Sequence, residues 1–228
     1  PGRGMMAMDP DGEFARSDIY KGSDNLGMYW DLPNIQCFHS VIPTSIMAFY
    51  PEVGVKRDVS SKPEAKYVHL RSLLSVKWLY IAEGEKEQAP MRGFTLVDNR
   101  LGYNIYQNQN YLPMGFSYDR YISEKDWEAL PTDYKSRALL HGIYLEDEAA
   151  ARHKDILRPV ESDWQGGLAA DELELDVADR SMMACDSFVI DRKGFTATAN
   201  FGRERLLFFS VPWNKGWTAT VNGEPARI

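Results

Sequence analysis

The stretch from Leu206 to Ile228 limits what this chain can fold into more than any other. Leu206-Leu207-Phe208-Phe209-Ser210-Val211-Pro212-Trp213 is short and almost continuously apolar, the pattern of a strand buried on both faces. The next run alternates: Trp217, Ala219 and Val221 fall on one side, Thr218, Thr220 and Asn222 on the other, which is the period of a half-buried strand. Asn214-Lys215-Gly216 between them predicts a reversal, with Gly216 free to take a positive φ. Asn222-Gly223 predicts a tight hairpin and a third strand from Glu224. A meander stopping there keeps an edge of unpaired backbone donors and acceptors, so the expectation is a piece excised from something longer.

At 228 residues the chain can close one large core or two small ones. Its net charge of −7 argues against a general nucleic-acid partner. Cys37 and Cys185 form no CxxC pattern and cannot make a disulfide scaffold; sequence alone does not say whether they meet. Nothing in the chain approaches the roughly 18 consecutive apolar residues of a membrane span, and no apolar core of a signal peptide follows Pro1-Gly2-Arg3-Gly4.

Along the chain, Phe14 to Tyr20 reads as a short strand, and Asp31 as the N-cap of a helix through about Ser40. Pro43 starts a second helix, and Pro63 opens a third with Leu70, Leu73 and Leu74 on one face. Strands follow at Ser75–Ile81, Phe94–Val97 and Tyr103–Asn108, with a polar turn over 83–88. Ser123 and Asp126 mark a capping-box-like start, Pro131 opens a further helix that Gly142 ends, and Ile143-Tyr144-Leu145 is a strand. The predicted class is α+β. A mixed part over 1–145, with short helices and a small mixed sheet, precedes an acidic linker over 146–182, in which a solvated helix over Leu168–Val177 is the alternative. An antiparallel β part over 183–228 follows, beginning with a hairpin through Asp191–Gly194.

Several chemistries have no residues to carry them. His39, His69, His141 and His153 lie far apart with no zinc-ligand spacing, and neither a GxSxG motif nor a Gly-rich phosphate loop occurs, so no catalytic, metal or cofactor residue is assigned. Asp31 and Asp119 are the acids set among aromatic residues; they read as a helix cap and a local ion pair, or as paired carboxylates of a glycoside hydrolase. The basic run containing Lys56, Arg57, Lys62 and Lys66 reads as a solvated face or as a contact for anionic lipid headgroups. Trp213 and Trp217, with Lys215 in the turn between them, make a sugar-stacking platform or pack inward as cross-strand neighbours.

Three stretches carry a family resemblance. Phe208-Phe209-Ser210-Val211-Pro212 with Lys215-Gly216-Trp217-Thr218-Ala219 resembles the C-terminal signature of the bacterial YfhO-type membrane proteins. Arg71 to Leu79 resembles that family's helix-to-strand segment, and Tyr106-Gln107-Asn108 with Leu112-Pro113-Met114-Gly115-Phe116 resembles another. The resemblance implies an extracytoplasmic soluble region of a polytopic membrane protein similar to GT-C glycosyltransferases. Such enzymes take sugar from a polyprenyl-phosphate donor and place it on a cell-envelope polymer such as lipoteichoic acid. The implied catalytic carboxylate lies in an early loop between membrane helices, a region with no counterpart here, so the fragment is not expected to catalyse by itself. The implied partners are the rest of the parent protein and a cell-envelope glycopolymer. A carbohydrate-binding module and a structural interaction domain are the alternatives.

Overall fold

The computed structural model describes residues 4–9, 12–57, 59–85, 91–161, 164–170 and 172–228. The first part carries β1 (Arg16–Ile19), α1 (Leu26–Trp30), β2 (Cys37–Phe38), α2 (Thr44–Glu52), β3 (Ser60–Ser61), α3 (Val68–Leu73), β4 (Val76–Ala82), β5 (Phe94–Arg100) and β6 (Tyr103–Asn108). The middle carries β7 (Phe116–Tyr118), β8 (Arg120–Ile122), α4 (Glu124–Ala129), α5 (Thr132–His141), β9 (Ile143–Tyr144), α6 (Asp147–Arg152), β10 (Arg158–Pro159), α7 (Trp164–Ala170) and α8 (Leu173–Ser181). The tail carries β11 (Ser187–Ile190), β12 (Phe195–Thr198), β13 (Leu206–Phe208), β14 (Ala219–Val221) and β15 (Glu224–Ala226). The fold is α+β, with short helices around several small sheets.

A four-stranded sheet ordered β1-β4-β6-β5 forms the centre, with β1 parallel to β4 and the other pairs antiparallel. The two-residue period of β4 explains its position, because both of its faces are covered. Leu79 and Ile81 enter the main core with Leu70, Leu73 and Phe94, while Tyr80 faces a second cluster of Met6, Ile19, Trp30 and Ile105. The β5–β6 hairpin turns on Leu101 and Gly102, at φ 51 and 79, and so has positive φ at both turn positions. Every residue of α3 is buried. Local signals act as expected elsewhere: the Ser123 hydroxyl accepts the Asp126 N–H at 3.2 Å to cap α4, and Gly142 ends α5.

Four expectations need correction, and the polar turn over 83–88 lies in part outside the described residues. No helix runs from Asp31 to Ser40. Asp31 instead terminates α1 at φ 60, and Pro33 disfavours helical backbone at Leu32. The Ser17 N–H donates to the Pro33 carbonyl at 2.7 Å and the Ile35 N–H to the Ser17 carbonyl at 3.0 Å, drawing this segment alongside β1.

Residues 146–182 are not a solvated linker. Strand β10 pairs in parallel with β8, and Leu157, Leu173 and Val177 belong to the main core. Leu173, Val177 and Arg180 follow helical spacing along α8 with acids on its outer side, so an acidic composition conceals an amphipathic helix.

The meander does not form either. Strand β13 is half-buried, spans three residues and pairs antiparallel with β7, while β14 pairs with β15. Phe208 packs on Phe116 and Tyr118, with ring centroids at 5.4 and 5.9 Å, and Phe209 packs on Phe195 at 4.8 Å. The apolar run thus serves two different clusters, and Pro212 lacks the N–H that would extend a ladder through it. Finally, Trp213 and Trp217 are not cross-strand neighbours. Asn222 and Gly223, at φ 53 and 87, do make the predicted tight hairpin.

Candidate functional site

The tail places its proposed glycan contacts unequally. Trp213 is 58% exposed, with its carbonyl accepting from the Ser45 hydroxyl at the start of α2. Trp217 is half-buried against Phe195 at 5.8 Å, and its indole N–H donates to the Pro212 carbonyl at 3.2 Å. Asn214 closes the turn between them by accepting the Trp217 N–H on its carbonyl and the Gly216 N–H on its side chain. Lys215 faces water at the tip. The arrangement offers one open ring beside one cation, not a two-ring platform.

The basic run is dispersed by the fold. Arg57 is buried. Lys62 pairs with Asp24 at 2.8 Å, and Lys66 pairs with Asp133 at 3.2 Å while lying over the Tyr67 ring. Lys56 remains exposed. The four side chains therefore do not make a bare cationic face.

Two nodes of buried charge emerge, one that the sequence reading missed and one in which the ion pair expected at Asp119 is made to distant arginines. The first joins Arg71 on α3 to Asp18 on β1, both with fully buried side chains. Arg71 reaches Asp18 through Nε at 2.8 Å and Nη2 at 2.7 Å, and its remaining N–H groups donate to the carbonyls of Pro63, Glu64 and Tyr67. Gln36 supplies a further donor to Asp18. Arg16 lies nearby and donates to the Leu74 carbonyl and to the hydroxyl and carbonyl of Ser210, each at 2.8 Å. Burial pushes the Arg16 guanidinium down to about 10.

The second node is Asp119, which accepts from Arg180 at 3.2 Å and from Arg158 at 3.4 Å. Burial acts to raise its carboxyl. The Arg180 hydrogen bond and the charges of Arg180, Arg120 and Arg158 outweigh that, leaving it below the usual aspartate range. Asp119 is therefore a structural anchor joined to a residue 61 positions away. Asp31, the other acid considered for catalysis, is exposed at the end of α1. A charged residue inside an apolar helix face, as Arg71 is between Leu70 and Leu73, is the signal from which the first node could have been found.

A polar cleft of about 130 Å³ is lined by Lys66, Tyr67, His69, Asp133, Ser136 and Arg137. It is small beside the roughly 300–1,000 Å³ of ordinary ligand pockets. Among the described residues no three metal-capable side chains converge, and both cysteines are free. His141 lies 3.4 Å from Asp176 and stacks on Trp164.

Comparison with known proteins gives the chain a context. A family model described as "Bacterial membrane protein YfhO" matches residues 6–171. The chain is similar to "Uncharacterized protein YfhO" of Bacillus subtilis (strain 168), at 27% identity over 146 residues, covering 61% of this chain and 17% of that protein. It thus spans less than a fifth of the length of that curated relative. No solved structure matches. Among the described residues no helix is long and apolar enough to cross a membrane.

Proposed function

The chain belongs to the YfhO family of bacterial membrane proteins, and on that premise we propose that it is a non-catalytic, water-facing domain of a polytopic membrane protein. It lies at the extracytoplasmic face of the cytoplasmic membrane and holds or orients a cell-envelope polymer such as lipoteichoic acid. The membrane portion of the parent then transfers sugar to that polymer from a polyprenyl-phosphate donor. One observation carries this reading. Two acids drawn into the fold are tied to arginines as Asp18–Arg71 and Asp119–Arg180, whereas the tail offers water an exposed ring at Trp213 with Lys215 two residues away. A surface of that kind suits recognition of a polymer better than bond cleavage.

Deleting the domain from the full-length parent is expected to abolish glycosylation of the envelope polymer while leaving membrane insertion intact. Normal glycosylation in the deletion strain overturns the reading. A carbohydrate-binding module is the second reading, favoured by the exposure of Trp213. It predicts saturable binding of teichoic-acid fragments by the 228-residue chain, lost in Trp213→Ala. Trp217→Ala acts instead through the Phe195 packing.

A further inference from the structure

The polar cleft lies where α3 packs on α5, and the fold fixes both of its walls. Asp133, Ser136 and Arg137 stand at i, i+3 and i+4 along α5 and so share one of its faces. Lys66 and Tyr67, in the turn before α3, and His69 within it form the opposite wall. The buried Arg71 clamps that turn by donating to the Pro63, Glu64 and Tyr67 carbonyls. Tyr67 is buried as well and donates its hydroxyl to the Gly54 carbonyl at 2.7 Å, where any side chain on Gly54 would strike it. Arg137 is anchored by Nη1 on the Leu168 carbonyl at 3.1 Å, with its guanidinium over the Tyr134 ring. His69 and Ser136 line the cleft although they are only 3% and 2% exposed.

Charge and size then select a ligand. Lys66 and Arg137 outnumber Asp133 by one positive charge, which favours a monoanion. The volume of about 130 Å³ holds a few water molecules, room for a four-oxygen group and its adjoining carbons but not for a sugar chain. Lys66 and Arg137 supply donors only and suit an oxyanion, whereas the Asp133 carboxylate supplies acceptors only and suits a hydroxyl of the same ligand. A carboxylate ligand carries the right charge on two oxygens, fewer than the donors of Lys66, Arg137 and Ser136 can engage, and a phosphomonoester carries too much charge. The Lys66–Asp133 pair at 3.2 Å does not close the site. Both side chains are at least half exposed, and a pair of that kind contributes so little that an incoming anion can share the ammonium. We propose that this cleft binds a phosphodiester flanked by hydroxyl groups, presented by a soluble polyol phosphate or by a lipid headgroup. The inference deepens the reading given above by supplying an anionic polymer with a seat away from the tail, while the binding itself does not depend on that reading.

The 228-residue chain is titrated with glycerophosphoglycerol at fixed low ionic strength, with glycerol as the neutral control, and amide chemical shifts are followed by NMR. Saturable shifts are expected over 66–69 and 133–137 with the diester and none with glycerol. Lys66→Met is expected to weaken binding about 3- to 10-fold through loss of a charge-assisted hydrogen bond. Asp133→Asn is expected to bind as tightly or more tightly, because the amide keeps an acceptor and removes the competing negative charge. Both side chains are at least half exposed, so neither substitution threatens the fold. No saturable shift over these residues, equal shifts with glycerol, unchanged affinity in Lys66→Met or weaker binding in Asp133→Asn each overturns the proposal. Once diester binding is shown, vesicles of phosphatidylglycerol compared with phosphatidylcholine separate the sources: cosedimentation with phosphatidylglycerol that Lys66→Met reduces assigns a lipid headgroup, and its absence assigns the soluble polyol phosphate. Failure here is distinct from failure of the polymer-holding reading. Diester binding lost in Trp213→Ala but not in Lys66→Met removes the cleft and leaves that reading standing, whereas normal glycosylation in the deletion strain removes the reading and leaves the cleft.

Discussion

In the part of the chain that ends at Cys185, Arg71 and Arg180 are drawn inside and tied to distant carboxylates and carbonyls; in the tail from Ser187 to Ile228, Arg192, Lys193, Arg203, Lys215 and Arg227 all face water. The deepest apolar burial also lies in the body. Leu70, Leu79, Ile105 and Leu112 are sealed in the body, whereas Val189, Ile190, Val221 and Ile228 are each more than half exposed. The body closes by long-range pairs of high individual cost. The tail has two two-stranded ladders of its own, β11–β12 and β14–β15, and is joined to the body by the β13–β7 ladder, by rings and by Arg16; two strands alone are marginally stable. The difference teaches that deep burial here follows long-range pairing and not the amount of β-structure.

The sharpest way to break that comparison is Arg71→Met. It strands the Asp18 carboxylate in the core, and a loss of about 3–5 kcal/mol is expected in urea unfolding. A loss under 1 kcal/mol would mean that the buried pair does not organise the body. Arg16→Met is next. Removing its bonds to Leu74 and Ser210 is expected to cost about 1.5–3 kcal/mol and to raise amide exchange over 206–210 more than over β4.

Asp119→Asn sharpens the comparison through pH. The depressed carboxyl contributes stability above the ordinary aspartate pKa, and this is lost as pH falls through the lower folded value. The melting temperature of the unsubstituted chain is therefore expected to fall more steeply at acid pH than that of the variant. Parallel acid limbs would remove Asp119 from the account. Smallest is Trp213→Ala, expected to change stability by no more than about 0.5 kcal/mol because the ring is largely exposed.

What the sequence makes legible is local chemistry. The Ser123 cap, the α5 stop at Gly142 and the Asn222-Gly223 turn depend on residues within a few positions, and each stands where its pattern puts it. The α+β class and the strand at Ser75–Ile81 are legible in the sequence as well. Pairing across the chain is not. Nothing in Leu206–Phe208 says that it will lie on Phe116–Tyr118 and not on its sequence neighbour, because an apolar run states how much it buries without naming its partner. The bond from Arg16 to Ser210 spans 194 positions and has no local trace.

The candidate site fared similarly. Trp213 and Lys215 are exposed as their turn suggests, but the helical period that places Leu173 and Val177 inside was hidden by acids, and the basic run hid one arginine that the fold buries. Charge reads as surface until a partner far along the chain reverses it.

Hydrogen exchange followed residue by residue in the intact chain tests the central claim most directly. The account predicts two classes: amides of β4 and β6 exchanging only through global unfolding, and amides of β11–β12 and β14–β15 exchanging through local opening at far lower free energy. Equal protection of the tail ladders and the central sheet would contradict it.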